Sequence, residues 1–364
     1  MWLSKLTIQN CRILDQIDLE LDQHANFLHG ANASGKSSVL EALALLARGR
    51  SFRTPRIQEV IQRGAAEVTV SARVEEGQLA TSYPLGISKN PGNTRIRINH
   101  ADVQQQAELS AHIPLTLVHP GSVELITGSP AGRRAFLDWI AFYRFADFHA
   151  TWRQYQRVLK QRNVCLRDPR QRYALPQWTE QLIALQPALY RFRIQALEAL
   201  NLALQTANSL LETASLPTLQ LSSGFPQGVN PHDQTALQQC FQDRQEAELK
   251  QGFSLYGAHR ADLHILLQNI PAVRVASRGQ LKLLAVGLLL AQSHAVSELP
   301  TKRGIIAIDD LAAELDEHNQ EALYQTLKAT QQQLFITSTR PDSLKNWGDQ
   351  ARVFHVKQGR ITAV

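Results

Sequence analysis

The chain has 364 residues, 44% of them hydrophobic, a formal charge of +6 and three cysteines. That length accommodates two ordinary domains or one large domain carrying an insertion, and the apolar content supplies real cores, which excludes a disordered chain. Cys11, Cys165 and Cys240 are widely spaced, odd in number and without CxxC spacing, which argues against a disulfide framework and a zinc site and leaves free, mostly buried thiols.

The N-terminal stretch MWLSKLTIQNCRILDQIDLELD alternates like strands and carries acids where a secretory signal needs an unbroken apolar core. No segment reaches the run of about 18 uncharged apolar residues that crosses a bilayer. The longest candidate, LKLLAVGLLLAQSHAV, is short and interrupted by polar groups. The expected location is the cytoplasm, with no membrane partner.

ANFLHG reads as a strand, and SSVLEALALLARG reads as a helix closed by Gly49. Between them GANASGKS, Gly30 to Ser37, fits G-x-x-x-x-G-K-[ST], the loop that cradles phosphates on backbone N–H groups at a helix N-terminus. Gly30, Ala31, Asn32, Ala33, Ser34, Gly35, Lys36, Ser37 and Ser38 are therefore the candidate nucleotide-binding residues. Lys36 adds charge at the β- and γ-phosphates and the Ser37 hydroxyl ligates Mg²⁺.

Further on, VTVSARV from Val68 and IRIN around Ile96 alternate as strands, and GISKNPGN from Gly86 reads as a hairpin turn. From about Ser129 to Ala214 the period becomes that of helices, with breaks expected at Pro169 and Pro176. Ser129-Pro130 reads as an N-cap and first helical residue. Between Arg133 and Arg172 ten basic residues face three acids, a local charge of +7 that leaves the remainder at −1. Arg153, Arg157 and Lys160 share one helical face, and with Arg133 and Arg134 they are the candidate contacts to nucleic-acid phosphates; a solvated helix surface is the alternative. SSGFPQGVNPHD, residues 222–233, reads as a loop, and after about Leu255 the α/β character returns.

RGIIAIDD, Arg303 to Asp310, supplies the apolar strand ending in carboxylates that a P-loop requires. Asp309 is expected to hold Mg²⁺ with Ser37, and Asp310 to orient or deprotonate the attacking water, with Lys36 completing the catalytic set. About 30 residues earlier, VASRGQLKL places Ser277, Gly279 and Gln280 at a helix start, a site of free N–H groups and positive dipole. The order P-loop, helical insertion, S-x-G-Q helix, carboxylate strand and ELD at Glu314 to Asp316 is that of an ABC-type ATPase, in which ATP lies between the P-loop of one subunit and the S-x-G-Q helix of another. The expected organisation is thus α/β, a P-loop ABC-type head made from residues 1–115 and 246–364, with a helical lobe inserted at 116–245.

Over nearly its whole length the chain resembles the RecF family, kin of the SMC-type ATPase heads. The resemblance is carried by LTIQNCRILDQIDLEL, GANASGKSSVLEAL, GRSFRT at Gly49, GSPAGRRAFLD at Gly128, YQRVLKQRN at Tyr155, GAHRADL at Gly257, SRGQLK and IIAIDDLAAELD. It implies an ATP-dependent homodimer that binds double-stranded DNA near junctions with single strands, works with RecO and RecR to place RecA at gaps, and hydrolyses ATP slowly. Two alternatives stand beside it: an architectural DNA clamp that binds ATP without turnover, and a transporter ATPase subunit. The second is disfavoured by the basic lobe and by QLFITSTR, which offers Ser338 and Thr339 where transporter ATPases carry histidine.

Against the family pattern, Ala33 stands where glycine is usual and an α-region alanine fits the same turn. Ser37 replaces threonine but keeps the hydroxyl, Ala258 replaces proline, and His119 to Ser122 replaces a segment with an acidic pair. Arg53 in SFRT has two open readings, an SMC-type nucleotide contact and a surface arginine. Gln280 and Lys282 are candidate contacts to the opposite subunit's phosphate, Lys282 reading equally as a surface residue. His259 and Arg260 match the family without an assigned chemistry.

Overall fold

The computed structural model describes residues 1–77, 81–206, 216–297, 303–310, 316–339 and 351–364. The chain divides into two units, one of Met1–Ser122 with Val286–Val364 and the other of Val123–Thr206 with residues 216–285. The first begins with the hairpin β1 (Trp2–Cys11) and β2 (Leu14–Glu20), then β3 (Ala25–His29), the P-loop and helix α1 (Lys36–Arg48). β4 (Val68–Glu76), β5 (Thr81–Lys89), β6 (Thr94–Ile98) and β7 (Ala101–Val103) extend β1 into a six-stranded antiparallel sheet of order β2-β1-β4-β5-β6-β7. The expected turn joins β5 to β6, where Asn90 Oδ1 accepts from the N–H of Gly92 and Asn93. α2 (Gln106–His112) and β8 (Leu115–Val118) follow.

The second unit opens with α3 (Glu124–Thr127) and α4 (Pro130–Arg144), with Ser129 at the N-cap and Pro130 at the first helical position. α5 (Phe148–Arg167) and α6 (Leu175–Thr206) are the long helices that the periodicity predicts. The break falls at Pro169–Ala174, a 3₁₀ turn. Pro176 does not break a helix: it sits in the first turn of α6, where the missing N–H has no partner to lose. β9 (Thr218–Ser222), α7 (Gln234–Gln251), β10 (Asp262–Leu267), β11 (Ile270–Pro271) and α8 (Ala272–Val275) complete this unit, the strands pairing antiparallel in the order β11-β10-β9. That pairing corrects the expected boundary at 246. β10 is registered on β9 from Asp262↔Ser222 to Leu266↔Thr218, so residues up to 285 stay with the lobe rather than returning to the head.

α9 (Arg278–Ser297) crosses into the first unit, followed by β12 (Ile305–Asp309), α10 (Glu317–Ala329), β13 (Gln333–Ser338) and the hairpin β14 (Ala351–Lys357) and β15 (Arg360–Ala363). The second six-stranded sheet has the order β15-β14-β3-β13-β12-β8, with β14, β3, β13, β12 and β8 parallel. Alternation along these strands feeds two cores. Ile305, Ala307 and Phe335 pack with α1 and the antiparallel sheet, while Ile306, Ile308, Leu334 and Ile336 pack with Val286 and Leu290 of α9 and Leu323 and Leu327 of α10. α1 has eleven of its thirteen residues buried, so the helix that carries the P-loop is itself core. Truncating Leu40 or Leu43 there would cost about 3 kcal/mol each. Glu314 and Leu315 of the ELD motif lie outside the described residues, while Asp316 caps α10 by accepting from the Asn319 N–H at 2.8 Å.

Candidate functional site

β3 ends at His29 and the chain turns through the P-loop into α1, so the free N–H groups of α1 face the loop. A Cβ on Gly30 would lie 2.1 Å from the Val356 carbonyl oxygen of β14, and Gly35 caps α1 at φ 116, so neither position accepts a side chain. Ala33 adopts φ 61. This corrects the expectation of an α-region alanine: the turn is left-handed here, at a cost of about 1–2 kcal/mol for a residue with a Cβ.

The loop from Asn32 to Ser38 lines an open cleft of about 400 Å³ together with Arg12, Ile13, Arg53 and Asp310. Lys36 is 6% exposed and its Nζ donates to the carbonyls of Gly30 and Ala31 at 2.8 and 2.9 Å, which draws the loop around it. Burial lowers its pKa, opposed by the carboxylates of Asp310 and Asp309. Ser37 Oγ donates to Asp309 Oδ1 at 2.8 Å, and Thr337 Oγ1 donates to the same oxygen at 2.9 Å. The Asp310 N–H in turn donates to Thr337 Oγ1 at 2.9 Å. The register explains this chain: Asp309 pairs with Thr337 at the ends of adjacent parallel strands, beside β3 and the loop that leaves it. Asp310 itself has φ 46 and lines the cleft.

The donor set fits a nucleotide triphosphate and its metal. A hydroxyl and a carboxylate side by side are the hard oxygen ligands that Mg²⁺ takes from a protein, leaving the rest of its shell to water and phosphate. Ser34 Oγ is buried at the loop with no partner among the described residues. All nine predicted loop residues, Gly30 to Ser38, thus lie in one place with Asp309 and Asp310.

Sequence reasoning missed Thr337, Arg12 and Glu41. Glu41, the one acid of α1, has a fully buried side chain that accepts from Arg12 Nε at 2.9 Å and Arg12 Nη2 at 2.8 Å, and from Ser51 Oγ at 2.5 Å. Arg53 lies 3.7 Å from the same carboxylate and lines the cleft, which favours its reading as a site residue over a plain surface arginine. His119 to Ser122 forms a turn closed on itself, the His119 N–H donating to Ser122 Oγ at 2.9 Å and the His119 ring standing 5.0 Å from that of Phe52.

In the second unit, Ser277 and Gln280 form a capping box before α9: the Ser277 N–H donates to Gln280 Oε1 at 2.8 Å, and the Gln280 N–H donates to Ser277 Oγ at 3.3 Å. Ser277, Gly279 and Gln280 are all exposed, and a Cβ on Gly279 would meet nothing within 4 Å. The start of α9 is a capped helix N-terminus open to solvent.

The basic residues of the lobe separate into two groups. Arg153, Arg157 and Lys160 are exposed along α5. Arg133 and Arg134, expected on DNA, are turned inward: Arg133 pairs with Asp262 at 2.8 Å and donates to the Gly128 carbonyl, and Arg134 donates to the Ala261 carbonyl at 2.8 Å. The carbonyls at the end of α3 and the Asp262 carboxylate at the start of β10 occupy the Arg133 guanidinium, and the Ala261 carbonyl takes a hydrogen bond from Arg134. Arg162 is 1% exposed, bonded to Glu248, Ser254 and Thr179. GAHR is explained by the same interior. His259 Nδ1 faces the Tyr155 hydroxyl at 2.8 Å and Nε2 faces the Ser254 carbonyl at 3.0 Å, and burial pushes its pKa down to about 4. With Nε2 donating to the carbonyl, Nδ1 accepts from Tyr155, so the imidazole is a neutral cross-tie. Arg260 lies 5.2 Å over the Phe253 ring.

Among the described residues no helix is long and apolar enough to cross a membrane. The sequence profile of the RecF/RecN/SMC N-terminal domain matches residues 2–362. The DNA replication and repair protein RecF of Vibrio atlanticus (strain LGP32) is 34% identical over 363 residues, covering 99% of each chain. That of Proteus mirabilis (strain HI4320) is 35% identical over 366 residues, again covering 99% of each. The fold is shared with the structure of the recombination mediator protein RecF-ATP in the RecFOR pathway, at a TM-score of 0.87 and 23% identity over 100% of this chain and 97% of that one. An Smc head bound to the C-winged helix domain of ScpA superposes at a TM-score of 0.59 with 15% identity, over 100% of this chain and 97% of that one. The chain belongs to the RecF family of DNA replication and repair proteins and has the SMC-like ABC-type ATPase head fold of that group.

Proposed function

We propose that the chain is an ATP-driven switch on DNA: ATP bound at the P-loop closes a homodimer on duplex DNA near a single-strand gap, and slow hydrolysis reopens it. The observation that carries this reading is that Lys36, Ser37 and Asp310 line one cleft, with the buried Asp309 joined to it by the hydrogen bonds it accepts from Ser37 and Thr337. Lys36 and the N–H groups at the start of α1 would hold the phosphates. Mg²⁺, held by Ser37 and Asp309, would neutralise charge on the β- and γ-phosphate oxygens. Asp310 would orient the attacking water and take its proton, its backbone fixed by the bond to Thr337. Ser277, Gly279 and Gln280 of a second copy would present the capped start of α9 to the γ-phosphate, so dimerisation would report the triphosphate. Arg153, Arg157 and Lys160 would contact DNA phosphates, giving affinity that falls steeply with salt and varies little with sequence. In this reading the closed dimer works with RecO and RecR to place RecA at the gap.

Sedimentation velocity with and without ATP and a gapped duplex tests the proposal. Lys36→Met is expected to abolish ATP binding, and Ser277→Arg to keep ATP binding while losing the ATP-dependent dimer. A Ser277→Arg variant that still dimerises with ATP defeats the shared-site reading. Asp310→Asn is expected to suppress phosphate release, and an unchanged rate favours a clamp without turnover.

A further inference from the structure

We infer that Glu41 is a positioning residue of the nucleotide site, a buried carboxylate that holds Arg12 and Arg53 at the mouth of the phosphate cleft, with Ser51 as its tether to the loop carrying Arg53. The inference rests on the ATPase reading above and adds to it residues that neither the P-loop nor the carboxylate strand contains.

Glu41 is four residues after Ser37 on α1, one turn along the same face, and its side chain is fully buried. Both oxygens are in use. Arg12 takes a two-pronged grip at 2.9 and 2.8 Å, and Ser51 Oγ donates at 2.5 Å. The Ser51 hydroxyl also accepts from the N–H groups of Arg53 and Thr54 at 2.9 and 3.2 Å, so it shapes the loop that presents Arg53. A carboxylate serving stability alone has its partner sealed with it, as Glu248 has Arg162 at 0% and 1% exposure. The two arginine partners of Glu41 instead line the cleft with the P-loop and Asp310. They are held unequally. Arg12 is locked by its fork, while Arg53 stands 3.7 Å away with 48% of its side chain exposed. A guanidinium so placed exchanges a distant carboxylate for a phosphate oxygen at little cost, whereas Arg12 stays as the fixed wall beside it. The charge of Glu41 opposes triphosphate binding, so its contribution falls on the orientation of Arg53 in the transition state rather than on ground-state affinity.

The test measures kcat and KM for ATP in the full chain, in Lys36→Met as a blank, and in a double-mutant cycle of Glu41→Gln with Arg53→Ala. Glu41→Gln is expected to lower kcat about tenfold and leave KM within about twofold, and in the Arg53→Ala background to change kcat by less than about twofold. A merely structural role would lower activity equally in both backgrounds, and that result overturns the inference. If Glu41→Gln fails to fold, Ser51→Ala takes its place. It leaves the Arg12 fork intact, and it is expected to lower kcat about threefold only when Arg53 is present; equal losses in both backgrounds overturn the inference. Absence of turnover above the Lys36→Met blank in the unaltered chain overturns the ATPase reading and this inference with it. Normal turnover with an additive pair overturns this inference alone.

Discussion

Arg157 and Arg162 lie five residues apart on α5. Arg157 stands in solvent with Arg153 and Lys160, while Arg162 reaches Glu248 at 2.6 Å, Ser254 at 2.6 Å and Thr179 at 2.9 Å, its guanidinium 4.6 Å from the Phe241 ring. The first group adds charge to a surface; the second ties α5 to α6 and α7. Composition assigns both to one basic lobe, yet the buried set neutralises itself on Glu248, Asp138 and Asp262, and only the exposed set offers charge to a partner. The lesson is that a local excess of arginine has to be divided by burial before it is read as a footprint for phosphate.

The division is broken most severely by Arg162→Met. Leaving Glu248 buried without its cation is expected to cost about 3–5 kcal/mol in denaturant unfolding, and a loss under about 1 kcal/mol would mean that Arg162 is no strut. Adding Glu248→Gln should recover part of the loss. His259 probes the same interior through pH. Its folded pKa of about 4 lies below the ordinary histidine value of 6.5, so the unfolded chain binds the proton first. Stability is then full above about pH 6.5 and falls by about 3 kcal/mol as the pH drops to 4. Unfolding free energies at pH 7 and pH 4 check this, and His259→Gln should flatten that component of the slope. Replacing Arg153, Arg157 and Lys160 together by glutamine should move stability by less than about 0.5 kcal/mol but flatten the dependence of DNA affinity on salt by up to about three ions. Loss of stability without a change in that slope would erase the distinction between the two sets. The smallest effect belongs to the head, where strain rather than burial is at issue. Ala33→Gly should raise stability by about 0.5 kcal/mol, the left-handed strain relieved exceeding the entropy that glycine adds to the unfolded chain.

Features set by neighbouring residues were legible beforehand. The P-loop, the Gly49 cap of α1, the hairpin between β5 and β6 and the strand ending at Asp309 each depend on short-range pattern and turn chemistry. What escaped were partners far apart in the chain. Thr337 meets Asp309 only because β13 lies beside β12, Arg12 meets Glu41 across 29 residues, and Arg162 meets Glu248 across 86. An acid inside the apolar run of α1 was the signal that could have found Glu41. The lobe boundary was displaced for the same reason, since nothing near residue 246 reveals that β10 pairs with β9. Ala33 was misjudged because a left-handed turn is a property of the loop as a whole.

The central place of β3 has a consequence for synthesis. Its two neighbours, β13 and β14, begin at Gln333 and Ala351, long after the loop that β3 launches has been made. A nascent chain of 300 residues therefore holds every P-loop residue but lacks Asp309, Thr337 and both strands that flank β3. It has no wall on either side of the loop and no carboxylate to oppose Ser37. On the proposed reading, a nucleotide site would be complete only once β13 and β14 dock beside β3, and a bound ligand would then stabilise the docked form by mass action.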